Sequence, residues 1–289
     1  MSDHPGAHAG PIARFLLPQA EAHFTARARR FQILAETDSP LSAYLALMAD
    51  LSESQREIVS CGVTIPSRSW VTDNGRLDTL AIPDDPTLIT VLRHITAALA
   101  PTGGTIGEVI TAINNADPKD LRAGFGQVLL RDFDAVNPGW LPFLASAVQV
   151  VCVSLAQRLD SAANLSAVGQ WCPVCEGLPL AANLHAAGNI EGLRYLVCGV
   201  CATEWHRPRI TCVQCGDSAS VSYYGIEGDE AITAEVCGHC KSYIKLMNRQ
   251  KRPELDPSAD DLASLALDVL LGEQGYQRLG CNLLLLPGR

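Results

Sequence analysis

Eight of the 11 cysteines in this chain of 289 residues form four Cys-x-x-Cys pairs between positions 172 and 240. A two-residue spacer lets a tight turn present both thiolates to one ion. Two such turns about twenty residues apart complete a tetrahedral shell of four sulfurs. The sequence therefore predicts two metal sites. The predicted ligands are Cys172, Cys175, Cys198 and Cys201 at the first site, and Cys212, Cys215, Cys237 and Cys240 at the second.

The four pairs form an internal duplication. The third pair follows the first by 40 residues, and the fourth follows the second by 39 residues. The segments between the paired cysteines suit strands, so each unit is predicted to be an antiparallel hairpin followed by a third strand. Consecutive pairs close shorter loops than an interleaved arrangement of first with third and second with fourth. The sequential grouping is therefore favoured, and the interleaved grouping is the alternative.

Other chemistry at these cysteines is less well supported. A thioredoxin-like redox site needs a single Cys-x-x-Cys at the start of a helix in a βαβ unit, and the sequence offers no such unit. His185, His206 and His239 lie nearby, but four thiolates already close each shell, so these side chains are predicted to be structural or exposed. Closed shells leave no open position for a substrate, and no phosphate loop, nucleophile elbow or metalloprotease signature is present. The chain is predicted not to be an enzyme.

The residue pattern leaves the identity of the metal open. Four thiolates suit zinc and a single rubredoxin-type iron equally. Cys172-Pro-Val-Cys175 and the aromatic Trp205 after the second pair resemble rubredoxin. The glycine that usually follows such a turn is displaced by one residue, to Gly177 after Glu176, which weakens that likeness.

Charge argues against a nucleic-acid partner. The formal net charge is -9, whereas a phosphate-binding surface needs a positive field. Residues 201–252 carry nearly as many acidic as basic side chains, so the cysteine-rich region is a poor platform for phosphates. A protein-binding or assembly role is therefore favoured. A tandem zinc-ribbon or nucleic-acid module and a rubredoxin-like electron carrier are the alternatives.

The first part of the chain, residues 1–165, is predicted to be an all-α helical domain. Helices are expected from Pro18, after Ser39-Pro40, after Asp85-Pro86, and at about 105–115, 118–131 and 140–156. The apolar run at 140–156 approaches the length of a membrane span, but Pro142 and Gln149 favour a buried helix. Without a signal peptide or a membrane span, we expect a cytoplasmic protein.

Cys61 and Cys152 have apolar helical neighbours and are predicted to be buried structural thiols.

The remaining chain completes an α+β fold. Residues 166–252 form the tandem rubredoxin-like or zinc-ribbon units, divided into 166–208 and 209–252. Residues 253–289 are predicted to form a C-terminal helix with an acidic first turn and an apolar tail that packs back on the body.

Several stretches resemble the formate dehydrogenase accessory protein family, FdhE. They are Cys172-Pro-Val-Cys175, Cys198-Gly-Val-Cys201-Ala-Thr-Glu-Trp205, Cys212-Val-Gln-Cys215-Gly, the segments 235–245 and 280–284, and most distinctively Ser258-Ala-Asp-Asp-Leu through Tyr276. The resemblance covers nearly the whole chain. It implies a cytoplasmic factor needed for active formate dehydrogenase, which binds the catalytic subunit before export and holds two rubredoxin-like iron ions. From the residues themselves we expect no small-molecule substrate, no nucleic-acid partner and no membrane insertion, and we assign no role to Cys281.

Overall fold

The computed structural model of the chain describes residues 12–62, 70–72, 74–159, 165, 169–187 and 190–285. Helices come first, an antiparallel-rich sheet follows, and short helices return at the end, so the α+β prediction is confirmed. The helices are α1 (Ala20–Ala35), α2 (Ser42–Ser60), α3 (Pro86–Leu99), α4 (Gly104–Asn115), α5 (Pro118–Leu130), α6 (Leu141–Ala156), α7 (Pro257–Ala263) and α8 (Leu265–Glu273).

Two of the predicted helix starts have the expected caps. The Asp85 carboxylate accepts a hydrogen bond from the backbone N–H of Thr87 at 2.8 Å, and α3 begins with Pro86. At the start of α5 the Asp117 carboxylate accepts a hydrogen bond from the backbone N–H of Lys119 at 2.7 Å. The helix expected after Ser39-Pro40 begins only at Ser42, because the Ser39 carbonyl first accepts the N–H of Ser42 in a turn.

Helix α6 forms the centre of the helical body. Every residue from Leu141 to Ala156 is buried, and the helix contacts α1, α2, α3 and α5. The prediction of a buried helix rather than a membrane span is therefore confirmed. Within the part of the chain that the structure describes, no helix combines the length and apolarity needed to cross a bilayer.

Within the described residues, the strands form one eight-stranded sheet. They are β1 (Phe15–Leu16), β2 (Pro179–Ala187), β3 (Ile190–Cys198), β4 (Glu204–His206), β5 (Val221–Ile226), β6 (Asp229–Cys237), β7 (Ser242–Asn248) and β8 (Gln277–Arg278). The order is β1-β4-β3-β2-β7-β6-β5, and β8 pairs with β7. Each cysteine-rich unit is an antiparallel hairpin with a third strand, as predicted.

The two units join through parallel pairing of β2 with β7, where Ala182 lies opposite Leu246. The helical part of the chain also reaches the sheet, because β1 pairs with β4 at its edge. One cluster of buried apolar side chains runs from the helices to the first cysteine group and Trp205, and it includes Leu283 and Leu284 of the tail.

The C-terminal helix predicted after Asp256 is confirmed, but it is interrupted, because the chain there forms α7 and α8 with a break at Ser264. The buried Lys245 ammonium on β7 donates to the carbonyl oxygens of Asp261 at 3.0 Å and Ser264 at 3.1 Å. Those carbonyls are the acceptors that a continuous helix would need for its own N–H groups. A contact from the sheet thus ends the first helix.

Candidate metal centres

The structure brings the eight cysteines of the four pairs together in two groups. We call Cys172, Cys175, Cys198 and Cys201 the first centre, and Cys212, Cys215, Cys237 and Cys240 the second centre. Within each centre all four Sγ atoms lie within 4.8 Å of one another. The grouping in the structure is sequential, with no interleaving between the units.

The sulfur positions fit a four-thiolate metal site. In the first centre Sγ–Sγ distances are 3.6 Å for Cys172–Cys201 and 3.3 Å for Cys175–Cys198. In the second centre the Cys212–Cys240 distance is 3.6 Å and the Cys215–Cys237 distance is 3.7 Å. A tetrahedral ion with metal–sulfur bonds of ~2.3 Å sets its sulfurs about 3.8 Å apart. The spacing is far longer than a disulfide bond of ~2.05 Å. The two groups could therefore hold two metal ions.

The backbone conformation of each Cys-x-x-Cys turn suits the binding of a metal ion by its cysteines. In the first centre the N–H groups of Val174 and Val200 point at the Cys172 and Cys198 sulfurs, each at 3.4 Å. The residue after each second cysteine takes a left-handed conformation, with φ of 58° at Glu176, 56° at Ala202, 79° at Gly216 and 59° at Lys241. This turn carries the chain back past the sulfurs, and its N–H donors stabilise thiolate charge.

The protonation of the first centre also favours a cation. Burial first, and then the neighbouring thiols, raise the pKa of Cys172 well above its usual value. Hydrogen bonds with the other three thiols, aided by burial, raise the pKa of Cys175. Burial opposes ionisation of Cys198, but hydrogen bonds from the same thiols hold its pKa well below the usual value. A metal ion bound by these buried sulfurs would displace the protons of the thiols.

The second centre is more open to solvent. Cys215 is exposed and Cys240 is partly exposed, whereas all four cysteines of the first centre are buried. Burial raises the pKa of Cys240, but hydrogen bonds from the Ser242 hydroxyl and backbone bring it down to about 7. The backbone N–H of Asp217 lowers the pKa of Cys215, yet burial and the neighbouring thiols raise it to about 12.

Residues of the helical part of the chain form hydrogen bonds with the turns of the first centre. The Gln149 side chain on α6 donates to the Gly199 carbonyl, between Cys198 and Cys201, at 2.8 Å. The backbone N–H of Leu77 donates to the Val174 carbonyl, between Cys172 and Cys175, at 2.8 Å. Both contacts hold a metal-binding turn from outside the cysteine-rich region. From the sequence pattern we expect Gln149 only to lie in a buried helix, and the segment around Leu77 has no clear pattern.

Gly177 is a second residue whose role the sequence did not show. A Cβ at this position would lie 3.1 Å from the Cys198 sulfur and 3.3 Å from the Cys175 sulfur. Such a carbon would crowd two of the four proposed ligands. The displaced glycine is therefore required by the close approach of the sulfurs, while Glu176 takes the left-handed conformation itself.

The remaining cysteines lie outside the two centres. Cys152 is buried on α6, and burial together with the nearby Cys201 and Cys198 raises its pKa. Cys281 is partly buried, and burial raises its pKa. Cys61 is exposed at the end of α2, so the prediction that it is buried is wrong; its apolar neighbours face the core while the helix end turns to solvent.

The three nearby histidines have other partners or positions. His185 pairs with Glu204 at 2.6 Å through Nε2, and the His206 ring makes an edge contact with Tyr195 at 5.5 Å between centroids. Among the described residues, the two groups able to hold an ion contain cysteines alone, so His239 is not a member of either.

Comparison with known proteins gives consistent results along the whole chain. Residues 12–167 match the family model "FdhE, N-terminal", residues 171–209 match "FdhE, central domain", and residues 210–285 match "FdhE, C-terminal domain".

Individual relatives agree with these models. A "Protein FdhE homolog" of Pectobacterium carotovorum is 32% identical over 288 residues, which cover 96% of this chain and 92% of the relative. A "Protein FdhE" of Salmonella enteritidis is 31% identical with the same coverage. The crystal structure of the FdhE protein from Pseudomonas aeruginosa superposes with a TM-score of 0.84 at 29% identity, covering 96% of this chain and 100% of that one. The chain therefore belongs to the FdhE family, which supports an accessory role for formate dehydrogenase.

Proposed function

We propose that this chain binds the catalytic subunit of formate dehydrogenase in the cytoplasm, before export, and is needed for production of the active enzyme. The observation that carries the proposal is family membership over nearly the full length, together with two closed four-cysteine groups. A closed shell offers a substrate no open coordination position, so the chain acts on its client without catalysing a reaction of its own.

We further propose that each centre holds one iron ion of the rubredoxin type, with zinc as the alternative. Cys172, Cys175, Cys198 and Cys201 would hold one ion, and Cys212, Cys215, Cys237 and Cys240 would hold the other. Four-thiolate iron supplies one-electron redox chemistry, whereas zinc supplies structure alone. With either metal the residues of this chain fix the turns, and their N–H groups offset the negative charge of the sulfurs.

The charge distribution favours a protein client over nucleic acid. Several basic side chains of the cysteine-rich region are engaged within the chain. Lys245 is fully buried against Asp261, Lys251 pairs with Glu230 at 2.6 Å, and Arg252 pairs with Asp229 at 3.1 Å. Three of the seven basic side chains in residues 201–252 are thus already paired with carboxylates, and the net charge of -9 also opposes phosphate binding.

The exposure of Cys215 favours electron transfer as a second candidate function. An iron ion held by the second centre would have one ligand sulfur at the surface and would supply one-electron chemistry there, whereas all four sulfur ligands of the first centre are buried. In this reading the second centre exchanges electrons with the client or its cofactors.

A deletion strain tests the proposed function. The strain should lose formate-dependent dye reduction while transcription of the dehydrogenase persists, and the wild-type chain should restore the activity. Purified chain should also retain the catalytic subunit in a pull-down. Normal dehydrogenase activity in the deletion strain, under conditions that express the enzyme, would contradict the proposal. A Cys215→Ser variant that binds the client but fails to restore activity would favour electron transfer.

A further inference from the structure

A buried chain of hydrogen bonds runs from α1 through α6 to the second turn of the first centre. Arg27 on α1 donates from Nη1 to the Gln149 Oε1 atom at 3.1 Å. The Gln149 Nε2 atom donates to the Gly199 carbonyl at 2.8 Å. The backbone N–H of Val200 then points at the Cys198 sulfur at 3.4 Å. We call these three hydrogen bonds the Arg27 relay.

The last two bonds of the relay share one peptide unit. The Gly199 carbonyl and the Val200 N–H belong to the same amide, so a donor at the oxygen polarises the N–H at the other end. Consecutive hydrogen bonds strengthen one another by roughly 10–30% per bond. The bond from Gln149 also fixes the plane of this peptide and therefore the direction of its N–H. Both effects strengthen the hydrogen bond to the Cys198 sulfur.

The orientation of the Gln149 amide is determined at both ends. A guanidinium only donates and a carbonyl only accepts, so Oε1 faces Arg27 and Nε2 faces Gly199. The Gln55 side chain adds a second donor to the same Oε1 atom at 3.3 Å. Gln149 is 1% exposed and Arg27 is 4% exposed, so bulk water does not compete for these bonds.

The relay acts through its bonds rather than through the distant field of Arg27. The Asp256 carboxylate lies 3.6 Å from the Arg27 Nε atom and offsets much of the guanidinium charge at a distance. Burial first, and then Arg27 and Arg249, hold the pKa of His23 well below its usual value, so the His23 ring that contacts Arg27 is neutral. Gln149 is therefore the residue that connects this cluster to the metal-binding turn.

The internal duplication supplies a comparison within the same chain. Gly238 is the counterpart of Gly199, 39 residues later, and also lies between the two cysteines of its turn. Gly199 is buried, whereas Gly238 is exposed. Solvent molecules can bond to an exposed peptide, but they do not hold it in one orientation. The first centre thus has a fixed protein donor at a turn where the second centre meets solvent.

We propose that Gln149 is a positioning residue that, through the Arg27 relay, raises the reduction potential of iron held in the first centre. This role rests on the proposed function, because iron at this centre is part of it. A four-thiolate site carries one more negative charge with ferrous than with ferric iron. A hydrogen bond to a ligand sulfur therefore stabilises the reduced state more than the oxidised state.

A redox titration of the full-length chain, loaded with iron in vitro without oxygen, tests the proposal. Four-thiolate sites accept iron and zinc alike, so the test does not depend on the metal held in the cell. Wild type should show two one-electron steps. Gln149→Met removes the donor at nearly constant length and should lower one step about threefold in equilibrium constant, or about 28 mV at 59 mV per tenfold. That step should be the one retained in Cys215→Ser.

Two further variants separate the relay from general stability. Arg27→Gln should lower the same step by a smaller amount, because Gln149 still holds the turn. Gln157→Met is the matched control, since Gln157 directly follows α6 and accepts the backbone N–H of Ala20 at 2.7 Å, away from both centres. It should leave both potentials unchanged. A merely structural role for Gln149 would lower the melting temperature without moving either potential.

The proposal is overturned if both steps keep their wild-type potentials in Gln149→Met and Arg27→Gln. It is also overturned if Gln157→Met lowers the same step equally, or if the first centre takes up no iron. If Gln149→Met does not fold or loses its first-centre iron, Arg27→Gln alone decides the outcome. Normal dehydrogenase activity in a deletion strain would contradict the proposed function and would leave these potentials unaffected, so the two failures are distinguishable.

Discussion

The four metal-binding turns share one backbone feature that their sequences only partly reveal. The residue after the second cysteine is left-handed in every turn, yet Gly216 alone among the four is a glycine. A non-glycine residue in this conformation costs roughly 1–2 kcal/mol. A hydrogen bond that closes each turn offsets this cost at Glu176, Ala202 and Lys241. The backbone N–H of the left-handed residue donates to the carbonyl of the first cysteine, as Lys241 does to Cys237 at 2.9 Å.

Gly177→Ala should impair the first centre alone. The added carbon meets the Cys198 and Cys175 sulfurs at 3.1 and 3.3 Å, so one sulfur must move away from the ion. We expect at least tenfold weaker metal retention by the first centre in competition with a chelator, and an unchanged second centre. Gly272→Ala is the control, because nothing lies within 4 Å of its added carbon. Equal metal retention by the Gly177 variant and wild type would show that the crowding does not matter.

The spacing of the cysteines was enough to predict both groups of four, because a two-residue spacer dictates a local turn. The structural role of Gly177, by contrast, could not be predicted from the sequence. Its position after Glu176 weakens the likeness to rubredoxin in the sequence, whereas in the fold it makes room for Cys198, which is far along the chain. A close approach between distant residues has no local sequence signal.

At the scale of elements, a buried ionic network explains the distinctive segment that begins at Ser258. Asp260 pairs with Arg30 of α1 at 2.7 Å, and Asp261 pairs with Lys245 of β7 at 3.2 Å. Asp261 also accepts from the tail through Asn282 Nδ2 at 3.0 Å and from Arg278. The two adjacent carboxylates therefore join the helical body, the sheet and the tail at α7.

Asp261→Asn should destabilise the whole chain. Lys245 and Arg278 would lose the fully buried Asp261 charge and keep Asp268, which pairs with both. Breaking a buried pair costs about 3–5 kcal/mol, and the remaining Asp268 pairs offset part of that cost. Urea unfolding of the metal-loaded protein measures the loss. Glu230→Gln is the control, since its pair with Lys251 is exposed and screened by solvent. Similar unfolding curves for the two variants would mean that the network contributes little.

Elements were predictable where their signals are local. Asp85-Pro86 and Asp117-Pro118 mark the starts of α3 and α5 because the cap and the proline act within one turn. The break between α7 and α8 has no such signal, because it depends on Lys245 arriving from β7. The same holds for the parallel pairing of β2 with β7, which unites two units that look independent in sequence.

At the scale of the whole molecule, the two centres differ in their surroundings. The first centre belongs to the core that the helices share with the sheet, and Gln149 of α6 holds its second turn. The second centre has an exposed ligand and lies outside that core cluster. The domain division near residue 165 stays a prediction, and this asymmetry offers a way to test how far the parts depend on each other.

Cys172→Ser should destabilise the helical body more than Cys215→Ser. Metal binding at a four-thiolate site contributes roughly 10–16 kcal/mol of free energy in small zinc peptides. In the first centre, metal binding also stabilises α6, because Gln149 on that helix is hydrogen-bonded to one of the metal-binding turns. We expect a lower melting temperature and earlier proteolysis of the helices for the first variant. For the second we expect cleavage confined to residues 209–252. Identical melting and cleavage patterns would contradict the asymmetry.

The most direct test of the account is the metal content of anaerobically purified protein, measured with its visible spectrum. We expect two ions per wild-type chain, with the absorption of four-thiolate iron. We expect one ion per chain in Cys172→Ser, one in Cys215→Ser and none in the double variant. Two zinc ions per chain would confirm the two four-cysteine sites and show that the metal is zinc rather than iron. A wild-type chain without metal, or a single substitution that empties both sites, would contradict the claim of two independent four-cysteine centres.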